Sequence, residues 1–114
     1  MATTLQRQAF IYRIYSACGD RCYIGSTIQR VNQRYKCHRY YWRQKVRGKR
    51  DNYKMMSGWL FDEYGIENCR LEVLETCLEG DRFHREQHWI DHYRDTKVNK
   101  TSATSQNRNL NPNH

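Results

Sequence analysis

The chain is 114 residues long, the length of one domain, and carries a formal net charge of +8 from 20 Lys and Arg against 12 Asp and Glu. Nine Tyr, three Trp and three Phe supply apolar surface for a core, which excludes wholesale disorder, and the length excludes a second sizeable domain. No apolar run approaches the ~20 residues of a membrane span, and the opening residues lack the apolar centre of a secretory signal, so a soluble, intracellular protein with no membrane partner is expected.

Residues 1–8 read as a flexible polar lead, 9–100 as the folded domain and 101–114 as a disordered polar tail, too poor in apolar groups to offset its ordering entropy. Within the domain, β-branched and aromatic residues alternate from Ala9 to Ser16, the pattern of a strand. Cys18-Gly19-Asp20-Arg21 has turn chemistry, and Cys22-Tyr23-Ile24 reads as the returning strand of a hairpin. Gly25-Ser26-Thr27 is expected to interrupt that strand, with Ser26 or Thr27 capping a helix from near Ile28. That helix sets Val31, Tyr35, His38 and Trp42 on one face, with Arg34 and His38 one turn apart. A charged loop over 47–52 leads to a second helix from Tyr53 to Tyr64, closed by Gly65. Arg70 to Thr76 alternates imperfectly and reads as a third strand. A third helix then begins at Gly80-Asp81, with Asp81 as its N-cap.

The charge is concentrated. Residues 29–54 hold ten cations against Asp51 alone, so the rest of the chain is close to neutral. Tyr35, Tyr40, Tyr41, Trp42 and Tyr53 are interleaved with them, as suits a nucleic-acid backbone: cations for phosphates, rings to pack or stack. Arg39, Arg43, Lys45, Arg47, Lys49, Arg50 and Lys54 are the expected contacts. A solvated helix face kept basic for solubility is the plainer alternative.

The third helix singles out one acid. At 100° per residue Glu86 falls inside the arc of Phe83, Ile90, Tyr93 and Trp89. A carboxylate on the core side must be paired, protonated or bound to a cation. The five cysteines, an odd number, point to reduced thiols. Cys18, Cys22 and Cys37, with His38, are also the raw material for a zinc site, but no second closely spaced Cys pair completes a familiar one.

Taken in order, Ile11-Tyr12 on a strand, Tyr23-Ile24-Gly25-Ser26, Arg34-x3-His38 on a helix, Glu86-x2-Trp89-Ile90 and Asn99 resemble the GIY-YIG nucleases over about residues 9 to 100. Phe10 stands where the family name has its first glycine, at a strand position with no chemical role. The resemblance implies a small α/β (α+β) sandwich, with a three-stranded antiparallel sheet flanked by helices, cutting DNA with one divalent ion. Glu86 is then the metal ligand, for Mg²⁺ with Mn²⁺ as a substitute and no organic cofactor; a hard ion that keeps most of its waters suits a single carboxylate. Two-metal hydrolysis needs several clustered acids, which the sequence does not display.

In this frame Arg34 clamps a non-bridging phosphate oxygen. Tyr12 is the general base and His38 its proton acceptor, because phenol at its ordinary pKa near 10 is a poor base alone. Tyr23 positions water or phosphate, and Asn99 holds the site together. The duller readings are tyrosines packing a sheet, a satisfied core histidine, and a buried Glu86–Arg34 ion pair. A catalytically idle basic binding domain is the alternative function. The partner is DNA, duplex or branched, with short-range sequence preference unless a homodimer or a partner protein supplies more.

Overall fold

The computed structural model describes residues 6–48 and 56–98. Three strands, β1 (Gln8–Ser16), β2 (Cys22–Thr27) and β3 (Cys69–Leu78), form one sheet in the order β2-β1-β3, antiparallel throughout. Helices α1 (Val31–Val46) and α2 (Gly58–Tyr64) cover one face, and α3 (Arg82–His92) covers the other. This is the expected sandwich.

Its logic lies in β1. As the central strand it is buried on both faces, so its apolar residues serve two cores. Ile11 packs with Cys22, Ile24 and Ile90 on the α3 side, with Trp89 and Tyr93 around them. Tyr12 and Ile14 pack with Leu60, Phe61 and Cys69 on the α1–α2 side, supported by Tyr23, Tyr35 and Trp42. Trp42 Nε1 donates to Asp62 at 2.8 Å and ties α1 to α2.

The imperfect alternation of the third strand has a physical cause. Ile11 pairs with Glu75 but Tyr12 pairs with Val73, so Leu74 is an extra residue, a β-bulge. The bulge moves odd-numbered positions from one face to the other. Cys69 and Leu71 point into the α1–α2 core, whereas Cys77 packs towards α3.

Two expectations about helix starts need correction. β2 does not stop at Ile24: Gly25, Ser26 and Thr27 pair with Tyr12, Ile11 and Phe10. Helix α1 therefore begins only at Val31, and its cap, Arg30, makes no side-chain capping bond. Ser26 is occupied elsewhere, and the Thr27 hydroxyl accepts the Gln29 amide at 2.9 Å in a local turn. Helix α2 begins at Gly58; residues 53–55 of the expected helix lie outside the described residues. Asp81 does occupy the N-cap of α3, after a 3₁₀ turn over Glu79–Asp81, but its carboxylate makes no capping bond. Gly65 closes α2 as expected, at φ 88°, a conformation that favours glycine.

After α3 the chain returns along the outer edge of β2. The Cys22 amide donates to Thr96 O at 3.0 Å and the Val98 amide to Cys22 O at 2.8 Å. Among the described residues no helix is long and apolar enough to cross a membrane.

Candidate active site

The site forms where β1, β2, α1 and α3 meet at one end of the sheet. Tyr12 sits mid-strand, fully buried, beneath α1. Its hydroxyl lies 2.7 Å from His38 Nε2, and His38, also fully buried, has Nδ1 2.7 Å from Ser57 Oγ. Tyr23 stands edge-on to the His38 ring, with centroids 5.4 Å apart, and 6.4 Å from the Tyr12 ring. Tyr12, Tyr23 and His38, far apart in sequence, are thus brought together in one cluster.

Gly25 explains why the turn-rich triplet belongs to a strand. It lies opposite Tyr12 in the ladder. A Cβ there would fall 2.6 Å from the Tyr12 hydroxyl oxygen and 2.9 Å from the Tyr23 ring. Only a residue without a side chain lets the phenol cross above β2 to reach His38.

Around the end of β2, Ser26, Thr27, Ile28, Gln29, Arg34 and Arg82 line an open cleft of about 380 Å³. Arg34 comes from α1, half-buried, and lies against Tyr12; Arg82 comes from the first turn of α3. Glu86, one turn beyond Arg82, is buried at 4% exposure. The Ser26 hydroxyl donates to Glu86 Oε1, and among the described residues Glu86 forms no ion pair. The buried Glu86–Arg34 pair is thus not what holds the acid; a neutral donor from β2 does.

The electrostatics follow from burial. Desolvation pushes the Tyr12 hydroxyl up to about 12, against the opposing pull of Arg34. Desolvation, aided by the Arg34 charge, drives His38 down to about 3, so its imidazole is neutral at physiological pH. Burial also raises Glu86 above the usual carboxylate range, with Ser26 and Arg82 resisting.

A divalent ion fits this donor set in one way. The Ser26 hydroxyl engages only Oε1 of Glu86, so the carboxylate keeps a second hard oxygen that a cation can use. Among the described residues no three His, Cys, Asp or Glu side chains cluster, so the protein would supply one carboxylate and water the remaining ligands. By the same observation Cys18, Cys22 and Cys37 do not gather into a zinc cluster; Cys22 instead sits in the core.

The basic segment is less uniform than its sequence. Arg43 and Arg47 are exposed. Lys45 reaches Asp62 at 3.0 Å, and Arg39 is half-buried with its guanidinium over the Tyr35 ring at 5.1 Å. Nine residues along a helix put Arg43 on the side of α1 opposite Arg34. Asn99, Lys49, Arg50 and Lys54 lie outside the described residues.

Sequence reasoning missed Ser26, Ser57 and Arg82. Arg82 was within reach, since it stands one turn before Glu86 on a helix already recognised. Ser26 was misread as a cap. Nothing local marks Ser57, which meets His38 only through the packing of α2 on α1.

Three comparisons bear on these residues. A family model described as the GIY-YIG catalytic domain matches residues 8–100. The fold is similar to the solved catalytic domain of intron endonuclease I-TevI, a glutamate-to-alanine mutant, with TM-score 0.62 and 19% identity over 83% of this chain and 95% of that one. Among curated proteins, none matches. With a match across nearly all the described residues and the family's sheet and helices in place, the chain belongs to the GIY-YIG family of nucleases.

Proposed function

We propose that this protein is a divalent-metal-dependent DNA endonuclease that hydrolyses phosphodiester bonds at the cleft between α1 and α3. What supports the reading is one arrangement: a buried carboxylate, Glu86, beside a cleft lined by the guanidinium-bearing residues Arg34 and Arg82. Two permanent cations beside one acid suit a phosphodiester, whose transition state gathers negative charge on the phosphoryl oxygens.

Glu86 would hold the ion, Mg²⁺ or Mn²⁺. When bound there, the ion supplies Lewis-acid stabilisation of the phosphoryl oxygens and the departing oxygen. Arg34 and Arg82 bind and orient the scissile phosphate through charge-assisted hydrogen bonds. Tyr12 acts as the general base in concert with His38. Its pKa of about 12 means that no standing phenolate is available at neutral pH. Instead the attacking water gives its proton to the Tyr12 oxygen as the Tyr12 hydroxyl proton passes to His38 Nε2, 2.7 Å away, a transfer that requires the negative charge of the bound phosphate to raise the imidazole from its resting value of about 3. Tyr23 orients the water or the phosphate, and Asn99 steadies the site through its amide. Arg43 and Arg47, with Arg39, Lys45, Lys49, Arg50 and Lys54, track the duplex or branched backbone and carry little sequence information. A homodimer or partner protein supplies any longer specificity.

The test is cleavage of supercoiled plasmid in Mg²⁺ by the parent and by Glu86→Ala purified in parallel. Nicking or linearisation by the parent alone is expected. Activity in both refutes the role of Glu86, and binding without cutting in either replaces the enzyme with an idle binding domain.

A further inference from the structure

Trp59 stands on α2 with 45% of its surface exposed, outside both cores of the described residues. A single exposed apolar side chain is ordinary; what sets this one apart is how it is held. Its ring meets Tyr64 edge-on, with centroids 5.9 Å apart and an interplanar angle of 88°. Tyr64 is packed against the α1–α2 core and fixed from above by the turn between β1 and β2. Its hydroxyl accepts the Arg21 amide at 3.3 Å, and a Cβ on Gly19 would fall 2.3 Å from that oxygen. The turn closes over the phenol only because residue 19 has no side chain. The Arg21 guanidinium is tethered in turn, donating to Asp95 O at 3.4 Å.

Together Arg21, Met56, Trp59, Lys97 and Val98 line an open cavity of about 390 Å³. Its lining holds two cations, an indole and no acid. That combination suits an anion with a flat apolar part, and a nucleotide is one: cations take the phosphate and an aromatic face takes the base. In a duplex each base is covered on both faces by its neighbours, so a base that stacks on a protein ring has left the helical stack. Plain duplex would meet the two cations alone.

We propose that this cavity is a subsite for an unpaired nucleotide of the DNA substrate, with its base stacked on Trp59 and its flanking phosphates on Arg21 and Lys97. The inference rests on the nuclease reading above and adds the substrate class, DNA with an unpaired stretch. Continuity with the cleft favours DNA as the occupant. Arg21 immediately precedes β2, and the cleft lies around Thr27 at the other end of that strand. The five steps from Cys22 to Thr27 span about 17 Å at roughly 3.4 Å per residue. At 3.4 Å per nucleotide of one strand, the unpaired nucleotide lies about five positions from the cut. Tyr23, on the α1–α2 face of the same strand, stands between the two sites.

The experiment separates base from phosphate. A labelled oligothymidylate and the same oligomer made abasic throughout present one phosphate backbone with and without bases. Each is titrated with the full chain in EDTA and followed by fluorescence anisotropy. The parent is expected to bind oligothymidylate more tightly. Trp59→Ala should weaken that binding about 5- to 150-fold, the range of one base–aromatic stack, and leave the abasic oligomer unaffected. Trp59→Phe, which keeps a π face, should retain most of the preference. Arg21→Ala should weaken both oligomers alike and flatten the slope of log affinity against log salt by about 0.7 for the phosphate released. A parent that binds both oligomers equally, a preference for bases that survives in Trp59→Ala, or a salt slope unchanged in Arg21→Ala overturns the proposal. Should Trp59→Ala not fold, Trp59→Leu, which keeps bulk and loses the π face, takes its place with the same readings. Binding in EDTA does not depend on cleavage. A chain that never nicks plasmid yet prefers bases through Trp59 refutes the nuclease reading alone, and one that nicks plasmid without that preference refutes this inference alone.

Discussion

Acid should destabilise this fold through His38 before most carboxylates titrate. The folded imidazole is held near a pKa of about 3, whereas the ordinary value is 6.5. A group whose folded pKa is depressed is bound by more protons in the unfolded chain, so its contribution is fully present above pH 6.5 and lost as pH falls towards 3. Each pH unit in that window removes about 1.4 kcal/mol. Moving from about pH 7.5 to about pH 5 should therefore cost ~2 kcal/mol, a large share of a typical margin of about 5–15 kcal/mol. In urea, with m near 1–3 kcal/mol/M, the midpoint should fall by about 1 M. The assay is urea unfolding followed by tryptophan fluorescence at both pH values, for the parent and for His38→Gln. The variant is less stable at neutral pH because it disturbs two buried hydrogen bonds, but it has no imidazole to titrate. Glu75, held low by its hydrogen bonds to Arg85, and Glu86, raised by burial, contribute equally to both proteins and cancel. An equal pH-dependent loss in parent and variant would show that His38 is not buried as a neutral ring.

Gly25→Ala forces a methyl to 2.6 Å from the Tyr12 hydroxyl oxygen, so it should cost about 1–3 kcal/mol and sharply reduce cleavage; a thermal melt matching the parent's would contradict the close approach. Arg82→Ala should lower kcat about 100-fold, the scale of losing one transition-state donor, and Arg82→Lys should recover only part. Parent-like turnover in Arg82→Ala would remove that side chain from the phosphate site. With the inactive Glu86→Ala protein as background, replacing Arg43 and Arg47 by Ala should flatten the salt dependence of duplex binding by about 0.9 for each phosphate no longer neutralised. Lys45→Ala should change it less, because Asp62 already engages that amine; equal effects from all three would refute the distinction.

How much of this was legible in the sequence depended on whether the signal was local. Strand β1 was readable because alternation and side-chain type agree over eight residues, and the same residues named Tyr12. Glu86 was readable because an acid inside an apolar helical arc is costly wherever it occurs, and the structure indeed buries it against a single neutral donor. Gly25-Ser26-Thr27 was misread for the opposite reason. Local propensity favours a turn and a cap there, but the segment is held as a strand by its ladder to β1 and by the Tyr12 ring passing over Gly25. The bulge at Leu74 left only a blemish in the alternation, since its sense depends on a register that no single strand encodes. Ser57 left no trace at all, because its partner lies nineteen positions away on another helix. The residues that bear charge or ring faces announce themselves by being out of place. The hydroxyls that orient them, Ser26 on Glu86 and Ser57 on His38, are ordinary where they stand and acquire a role only when two elements pack. A site of this kind is therefore read from sequence as its reactive groups without the neighbours that orient them.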